Sequence, residues 1–188
     1  MRIGLFSGSF NPVHVGHVRL AEFLRDEQGL DEVWMVLSPH NPLKRVSGLA
    51  PDEHRLRMLT LALEDITGIC PSDVELSLPR PSYTSATLKH LSENYPQHSF
   101  VLIIGEDNMR CFDKWKDYDW ILAHYEVCVY PRGEERMQCP YSTMRMVNAP
   151  LFPISSTEIR QGIQTGKDVS KWLHTRVWEY IQAHKLYQ

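Results

Sequence analysis

Apolar segments typical of buried strands alternate with amphipathic segments typical of helices along this chain, and the alternation limits the folds open to it. The strongest strand signal is SFVLII at residues 99–104, and similar runs occupy residues 2–6, 32–37 and 126–130. Between them, apolar residues recur at helical spacing, as over residues 17–24. Strands that alternate with helices form a parallel sheet with crossover helices. We therefore expect an α/β fold with a small helical C-terminal end.

Caps and helix breakers predict where several elements begin and end. We expect a helix to begin near His14, and we expect Asp52 to cap a second helix. The alternating run VELSL favours a strand at residues 73–78, and residues 115–124 favour a short helix. The helical C-terminal end covers about residues 154–188, with predicted helices at Ser156–Gln164 and residues 171–185.

Composition and charge exclude several classes of protein. The 188 residues suit a single domain over residues 1–188. A net charge of -3 does not support the broad basic surface of a duplex-binding protein, so we expect no nucleic-acid partner. No apolar run in the sequence reaches the ~18–20 residues of a membrane span, and residues 7–12 interrupt the first run before it resembles a signal peptide. We expect a cytoplasmic protein without a membrane partner.

Two histidines follow the first predicted strand in the segment GSFNPVHVGH, residues 8–17. If the helix begins near His14, then His14 and His17 lie on one face of its first turn, with Gly16 leaving room between them. The positive end of a helix disfavours imidazolium, so both rings can stay neutral and donate one hydrogen bond each. Together with free backbone N–H groups they form an anion site. A surface pair remains open, while a metal site lacks an obvious third ligand.

A second helix start, ISSTEIRQGI at residues 154–163, has the same character. Ser155 or Ser156 can cap the helix, with Glu158 completing a capping box. A capping box alone does not explain the run of hydroxyls through Thr157 or the guanidinium of Arg160 one turn later. These groups at a helix N-terminus predict a second phosphate site. Neither the P-loop pattern nor G-x-G-x-x-G occurs in the sequence.

GSFNPVHVGH and ISSTEIR together resemble the nucleotidyltransferase superfamily with the H-x-G-H signature, and within it the bacterial nicotinate mononucleotide adenylyltransferases. Three further segments carry the resemblance: SPHNPLK (38–44), RPSYTSATL (80–88) and IIGEDNMRCFDKWKDYDWIL (103–122). The family usually opens G-G-x-F-D-P-x-H-x-G-H, whereas this chain has Ser7 and Asn11, which leaves the role of a carboxylate at position 11 open. The resemblance implies a Rossmann-like, doubly wound, mainly parallel sheet forming one nucleotidyltransferase domain.

The resemblance also implies a reaction and roles for residues. ATP and nicotinate mononucleotide would give nicotinate adenine dinucleotide and pyrophosphate, with Mg²⁺ held mainly by the triphosphate and no metal site of the protein. The catalytic residues would be His14, His17, Lys44 and Arg160. ATP would contact Gly8, Ser9, Phe10, His14, His17, Gly105, Asp107, Ser155, Ser156, Thr157 and Arg160. The nicotinate nucleotide would contact Asn41, Lys44, Tyr83, Thr84 and Trp115, with the indole stacked on the pyridine ring.

Two other functions stay open from the sequence. Another adenylyltransferase of the superfamily, such as the pantetheine-phosphate type, would share both phosphate segments, although RPSYTSATL and the segment around Trp115 argue against it. A non-catalytic nucleotide-binding domain is the other alternative, and the joint presence of His14, His17, Lys44 and Arg160 argues against it. Residues 133–150 carry no informative pattern, and they could form a surface or a subunit contact in a homo-oligomer.

Overall fold

The centre of the protein is a sheet of six parallel strands. The computed structural model describes residues 1–39, 48–133 and 137–188, and within them the strand order is β3-β2-β1-β4-β5-β6. Every neighbouring pair is parallel. The strands are β1 (Arg2–Gly8), β2 (Glu32–Leu37), β3 (Ile69–Ser72), β4 (Ser99–Gly105), β5 (Glu126–Tyr130) and β6 (Met144–Met146).

Helices connect the strands and flank the sheet. They are α1 (Val15–Glu27), α2 (Asp52–Leu63), α3 (Thr84–Asn94), α4 (Glu106–Met109), α5 (Tyr118–His124), α6 (Ser156–Gln164) and α7 (Thr175–Ala183). Short 3₁₀ turns occupy Val74–Leu76, Phe112–Lys114 and Ser170–Trp172.

Side chains of β4 show how both faces of the sheet are covered. Val101 and Ile103 belong to an apolar cluster that includes residues of α1, α2, α6 and α7. Leu102 and Ile104 belong to a second cluster, with residues of α3 and α5. Successive side chains of a strand point to opposite faces, so each cluster covers one face. Burying one such side chain contributes roughly 1.5–3 kcal/mol. The predicted doubly wound, parallel α/β sheet is confirmed.

The order of the strands reverses between β1 and β4. β1 pairs with β2 on one side and with β4 on the other, where Phe6 lies opposite Ile103. The loops that follow β1 and β4 therefore leave the same edge of the sheet side by side. In open α/β sheets this reversal point is where ligands bind.

The prediction of a strand at residues 73–78 is wrong. β3 ends at Ser72, and Val74–Leu76 forms a 3₁₀ turn in which the backbone N–H of Leu76 donates to the carbonyl of Asp73 at 2.8 Å. The alternation of polar and apolar residues arises because Glu75 turns inward to a polar site, while its apolar neighbours pack beside it.

The helix predicted at residues 115–124 is shorter than expected. Trp115 is extended, with φ -75° and ψ 142°, and Asp117 has the left-handed φ of 54°. Neither conformation continues a helix, so α5 begins at Tyr118. The helix predicted at residues 171–185 is likewise divided into a 3₁₀ turn and α7.

The sequence predicts that Asp52 caps α2, and this prediction is wrong. Pro51 is the capping residue, and Asp52 is the first residue of the helix. The carboxylate of Asp52 instead accepts hydrogen bonds from Arg55 and Arg80. Pairing with these guanidinium groups satisfies the carboxylate oxygens more fully than a single backbone N–H would.

Candidate active site

His14 and His17 lie against each other at the start of α1. Their ring centroids are 3.7 Å apart with an interplanar angle of 28°, and the backbone N–H of His14 donates to Nδ1 of His17 at 3.3 Å. His14 is the extended capping residue and α1 begins at Val15. The predicted placement of both histidines on one face of the first turn is confirmed.

Burial keeps His14 neutral. The side chain belongs to a residue only 6 % exposed, and this desolvation lowers its pKa from 6.5 to about 4. The charge of Arg132 lowers the pKa further, and Glu158 opposes both effects. At neutral pH the ring therefore offers one N–H donor and one acceptor.

Gly16 permits this close arrangement. A Cβ at residue 16 would lie 3.0 Å from a methyl group of Ile154 and 3.1 Å from the ring of His14. Even alanine would push against the imidazole or against the segment that leads into α6. The absence of a side chain at Gly16 thus lets α1, His14 and the α6 entry meet.

The start of α6 packs directly against the loop after β1. Ser155 and Glu158 form the predicted capping box, with Ser155 Oγ accepting from the Glu158 N–H at 3.2 Å. Ser156 Oγ donates to the carbonyl of Pro12 at 2.9 Å. Arg160 donates to the carbonyl of Asn11 at 2.8 Å. The two segments predicted to bind phosphate are therefore adjacent, although the bonded residues are 144 and 149 positions apart in the chain.

Thr157 joins the same group through its contact with Arg160. Nη2 of Arg160 lies 3.3 Å from Oγ1 of Thr157. A guanidinium carries five N–H donors, so the contacts with the loop and with Thr157 leave further donors for an anion.

A cavity of about 170 Å³ opens at the carboxyl ends of β1 and β4. Eight of the predicted site residues line it: Gly8, Ser9, Phe10, His17, Tyr83, Thr84, Gly105 and Trp115. Six others lie outside this lining: His14, Asp107, Ser155, Ser156, Thr157 and Arg160. All four predicted site residues at the start of α6 are among these six. The predicted site therefore consists of a cavity and, outside its lining, the hydroxyls and Arg160 at the start of α6.

Trp115 forms one wall of the cavity. One side of its ring packs on Phe112, with centroids 4.9 Å apart. Its Nε1 is buried, and no described residue accepts its hydrogen. Nearby, Tyr83 is the capping residue of α3, and Nζ of Lys116 lies 4.7 Å from the centre of the Tyr83 ring. An aromatic wall, a cation and a helix N-terminus together suit a flat anionic ligand.

The turn after β4 brings acidic and basic side chains together. A Cβ at Gly105 would lie 2.4 Å from Oδ1 of Asp107, so only glycine fits there without displacement. Asp107 accepts from Nε of Arg132 at 3.3 Å. Glu106 is buried and accepts from the backbone N–H groups of Arg132 and Met137. This turn is therefore fixed to the segment that follows β5.

Glu75 is a cavity residue that sequence reasoning misses. It is 3 % exposed, and its carboxylate accepts from the hydroxyls of Ser38 at 2.6 Å, Ser82 at 3.1 Å and Thr87 at 3.2 Å. Burial raises the pKa of Glu75, while these hydroxyls and that of Ser7 lower it. No local pattern signals the site, because the hydroxyls come from three separate stretches of chain: Ser7, Ser38 and residues 82–87.

Arg55 is a second missed residue. It is 0 % exposed and donates to the carbonyls of Ser9 at 2.6 Å, Ser38 at 3.0 Å and Ala50 at 2.9 Å. Burial lowers its pKa and the charge of Asp52 raises it. Arg55 thus fastens the loop after β1 to the end of β2. On a helical pattern alone, a lone arginine indicates a solvated face.

Asn11 has a structural role that needs an amide. Its Nδ2 donates to the carbonyl of Gly48 at 2.9 Å, and its Oδ1 accepts from the N–H of Ala50 at 3.1 Å and from the hydroxyl of Tyr187 at 2.8 Å. A carboxylate at this position could accept both donors but could not donate to Gly48. The hydrogen-bond partners of Asn11 therefore explain why this chain has asparagine where the family usually has aspartate.

Two predicted site residues lie outside the described residues. Asn41 and Lys44 belong to residues 40–47, which lie outside the described residues. Within residues 1–39, 48–133 and 137–188, no group of three or more His, Cys, Asp or Glu side chains is arranged to hold a metal ion. In the same residues, no helix has the length and apolar character needed to cross a membrane.

Comparisons with known proteins agree with the geometry. Residues 5–162 match the family model described as cytidylyltransferase-like. A Flavobacterium johnsoniae protein named "Probable nicotinate-nucleotide adenylyltransferase" is 45% identical over 192 residues, covering 100% of both chains. A Bacteroides thetaiotaomicron protein of the same name is 46% identical over 189 residues, covering 98% of this chain and 92% of its own.

Solved structures show the same fold. The nicotinic acid mononucleotide adenylyltransferase of Plasmodium falciparum, complexed with NaAD, superposes with a TM-score of 0.82 at 20% identity, covering 99% of this chain and 97% of that one. The same enzyme complexed with APC gives a TM-score of 0.80. The predicted Rossmann-like α/β architecture is thereby confirmed.

Proposed function

This chain belongs to the nicotinate-nucleotide adenylyltransferase family, among the cytidylyltransferase-like proteins, and from that premise we propose how its residues carry out the reaction. The enzyme joins ATP and nicotinate mononucleotide into nicotinate adenine dinucleotide and pyrophosphate, a step of NAD biosynthesis. The observation that carries the proposed mechanism is the meeting of three features at one edge of the sheet: the stacked His14 and His17, the start of α6, and the cavity walled by Trp115.

The attacking group is the phosphate of nicotinate mononucleotide. A phosphate monoester has a second pKa of about 6, so it is largely a dianion at pH 7 and needs no general base. One of its oxygens forms a bond to the α-phosphorus of ATP while the bond from that phosphorus to the bridging oxygen breaks. The electron pair leaves with pyrophosphate. The protein therefore has to align two anions and neutralise their charge.

His14 and His17 are proposed to donate hydrogen bonds to oxygens of the α- and β-phosphates. A neutral His14 fits this role, since it donates without adding a charge that its buried position disfavours. Stabilising charge that grows on the leaving pyrophosphate lowers the barrier directly.

The start of α6 is proposed to hold the β- and γ-phosphates. Ser156 and Arg160 bond to the carbonyls of Pro12 and Asn11, two and three residues before His14, and Thr157 contacts Arg160. Ser155 caps the same helix start. Hydroxyls and a guanidinium at a helix N-terminus are suited to phosphate oxygens.

The remaining parts of the substrates are assigned to the loops after β1 and β4 and to the cavity. We assign the adenosine to Gly8, Ser9, Phe10, Gly105 and Asp107. We assign the nicotinate nucleotide to Tyr83, Thr84 and Trp115, with Asn41 and Lys44 from the segment outside the described residues. Trp115 and the start of α3 support this, because they offer an aromatic face and N–H donors to a pyridine ring that carries a carboxylate.

A divalent cation is proposed to enter with ATP. Around the phosphate site lie hydroxyls, imidazoles and a guanidinium, and the carboxylate of Glu158 is engaged in the capping box with Ser155. This set suits a cation already bound by triphosphate oxygens and water better than one held by the protein. Mg²⁺ would supply charge neutralisation on the triphosphate.

Pyrophosphate release tests the reaction. Incubation with Mg-ATP and, separately, nicotinate mononucleotide, nicotinamide mononucleotide or phosphopantetheine should give release with nicotinate mononucleotide foremost. His17→Ala should reduce kcat about 100-fold or more with little change in KM for the nicotinate substrate, by loss of a donor to the leaving group. His124→Ala, at an exposed histidine of α5, is the matched control and should leave kcat unchanged.

The same assay separates the alternatives. Preference for phosphopantetheine would indicate the pantetheine-phosphate type of adenylyltransferase. Release with none of the three acceptors would overturn the enzymatic proposal and favour a non-catalytic nucleotide-binding domain. Near-normal kcat in His17→Ala would contradict the role of His17. The single domain, the cytoplasmic location and a homo-oligomeric state stay predictions.

A further inference from the structure

The chain just before His14 is held by residues from the C-terminal end. Ser156 donates to the carbonyl of Pro12 at 2.9 Å, and Arg160 donates to the carbonyl of Asn11 at 2.8 Å. Both acceptors are main-chain atoms two and three residues ahead of His14. The path of the backbone into α1 is therefore stabilised by side chains from the C-terminal end of the chain.

The side chain of Asn11 adds a third connection, to Tyr187. Oδ1 of Asn11 accepts from the Tyr187 hydroxyl at 2.8 Å, and it also accepts from the N–H of Ala50. Asn11 is 3 % exposed, so these bonds are shielded from water. A buried acceptor that loses a donor is costly, since water does not replace the lost bond readily.

Tyr187 is itself held firmly after α7. The N–H of Leu186 donates to the carbonyl of Ile181 at 3.0 Å, and both Leu186 and Tyr187 pack against the apolar cluster that includes α1 and α2. Tyr187 has a φ of 64°, which a non-glycine residue adopts where its surroundings determine it. Burial raises the pKa of the phenol, although the charges of Arg55 and Arg160 oppose this, so the hydroxyl keeps its proton for Asn11.

We propose that Tyr187 is a positioning residue of the transferase site: its hydroxyl holds Asn11 and, through Asn11, the loop that sets His14 and His17 at the start of α1. The catalytic part of this inference rests on the proposed function. The hydroxyl of Tyr187 acts through Asn11 and is given no contact with substrate.

Contacts other than this hydroxyl also dock α7. Val177 and Ile181 are buried in the same cluster, and the hydroxyl of Tyr180 lies 2.9 Å from Nδ1 of His54 in α2. Tyr180 therefore offers a matched control. It is a second tyrosine of the same C-terminal segment, and its hydroxyl bonds to the side chain of His54 instead of Asn11.

The first measurement compares Tyr187→Phe with Tyr180→Phe in the full-length protein. Each change removes one oxygen and keeps the ring. Tyr187→Phe should lower kcat roughly three- to tenfold, because loss of one buried hydrogen bond loosens the alignment of the phosphate donors. Tyr180→Phe should leave kcat unchanged. Thermal unfolding of both variants shows whether their stabilities match, which separates positioning from a general loss of folded protein.

The second measurement does not need activity. The ring proton signals of His14, assigned with His14→Gln, are titrated by NMR in each variant. Loosening of the loop admits water and should raise the pKa of His14 from about 4 towards 6.5 in Tyr187→Phe, but not in Tyr180→Phe. The charged groups that act on His14, Arg132 and Glu158, are the same in both variants.

The proposal requires that Tyr187→Phe change both kcat and the pKa of His14. If Tyr187→Phe matches Tyr180→Phe in either kcat or the His14 titration, the positioning role is overturned. If the unchanged protein forms no dinucleotide at all, the proposed function fails. In that case the titration alone still decides whether Tyr187 holds the loop of His14.

Discussion

The imidazole of His14 stacks on that of His17 at 3.7 Å, a separation at which two positive rings would repel strongly. The close stacking therefore disfavours two charged rings, and the pair suits a site where the rings are neutral and the phosphates carry the charge. Neutral rings can approach this closely and still present N–H donors to phosphate, so the stacking and the burial of His14 favour the same protonation state.

The burial of His14 predicts an acid-sensitive stability. Because the pKa of His14 is lowered from 6.5 to about 4, the folded state binds fewer protons than the unfolded state between these values. The resulting stability is fully present above pH 6.5 and is lost as pH falls through 4, about 3 kcal/mol in all. Urea unfolding from pH 4 to 7 should show a weaker pH dependence for His14→Gln than for the unchanged protein. A parallel pair of curves would contradict the prediction, and His124→Gln serves as the control.

Trp115 should control affinity for the nicotinate substrate. Trp115→Ala removes the aromatic wall of the cavity, and loss of one stacked ring costs about 1–3 kcal/mol. We expect KM for nicotinate mononucleotide to rise roughly tenfold or more, with KM for ATP little changed. Trp120→Ala, five residues later and outside the cavity lining, should leave both constants near normal. A rise confined to KM for ATP would refute the stacking assignment.

Glu75→Gln should become relatively more stable as pH rises. Since burial raises the pKa of Glu75 above 4.5, its carboxyl contributes stability when protonated, at low pH, and loses that contribution as pH rises through the folded-state pKa. Glutamine does not titrate. The difference in unfolding free energy, variant minus unchanged protein, should therefore increase between pH 4.5 and 8. An equal difference at both values would argue against it, and Glu93→Gln, exposed on α3, controls for loss of a carboxylate.

Arg55→Ala should be severely destabilising. The change leaves the carbonyls of Ser9, Ser38 and Ala50 without their buried donor, a loss of roughly 3–5 kcal/mol. Chemical denaturation measures this directly. Arg57→Ala, two residues along the same helix and exposed, should cost less than about 0.5 kcal/mol. Comparable losses in the two variants would show that Arg55 does not fasten the loops.

Sequence patterns predicted the parts of the site that are encoded locally. His14 and His17 meet because the capping residue and the third residue of a helix lie on one side of its first turn, and the capping box of Ser155 and Glu158 likewise spans a single turn. The parallel sheet was predicted from strand-like and helix-like segments, and each such segment is identified by the spacing of apolar residues within it. Each of these features depends on residues a few positions apart.

Residues whose surroundings come from distant parts of the chain could not be predicted. Tyr187 meets Asn11 across 176 residues and Arg55 meets Ser9 across 46. Burial of Glu75 depends on hydroxyls of Ser38, Ser82 and Thr87, whereas the alternation around Glu75 in the sequence indicated a strand. A charged side chain indicates a solvated face unless its partners are known, and these partners become neighbours only in the folded chain.

The lining of the cavity comes from separate stretches of chain. Residues 6–10 and His17 line it from around the loop after β1, and residues 82–84 and 114–116 line it from the start of α3 and the turn at Phe112–Lys114. The first stretch is tied to the C-terminal end through Asn11. On the proposed assignment of the substrates, exchange of the segments at residues 82–84 and 114–116 would change acceptor preference and leave the residues assigned to the triphosphate in place.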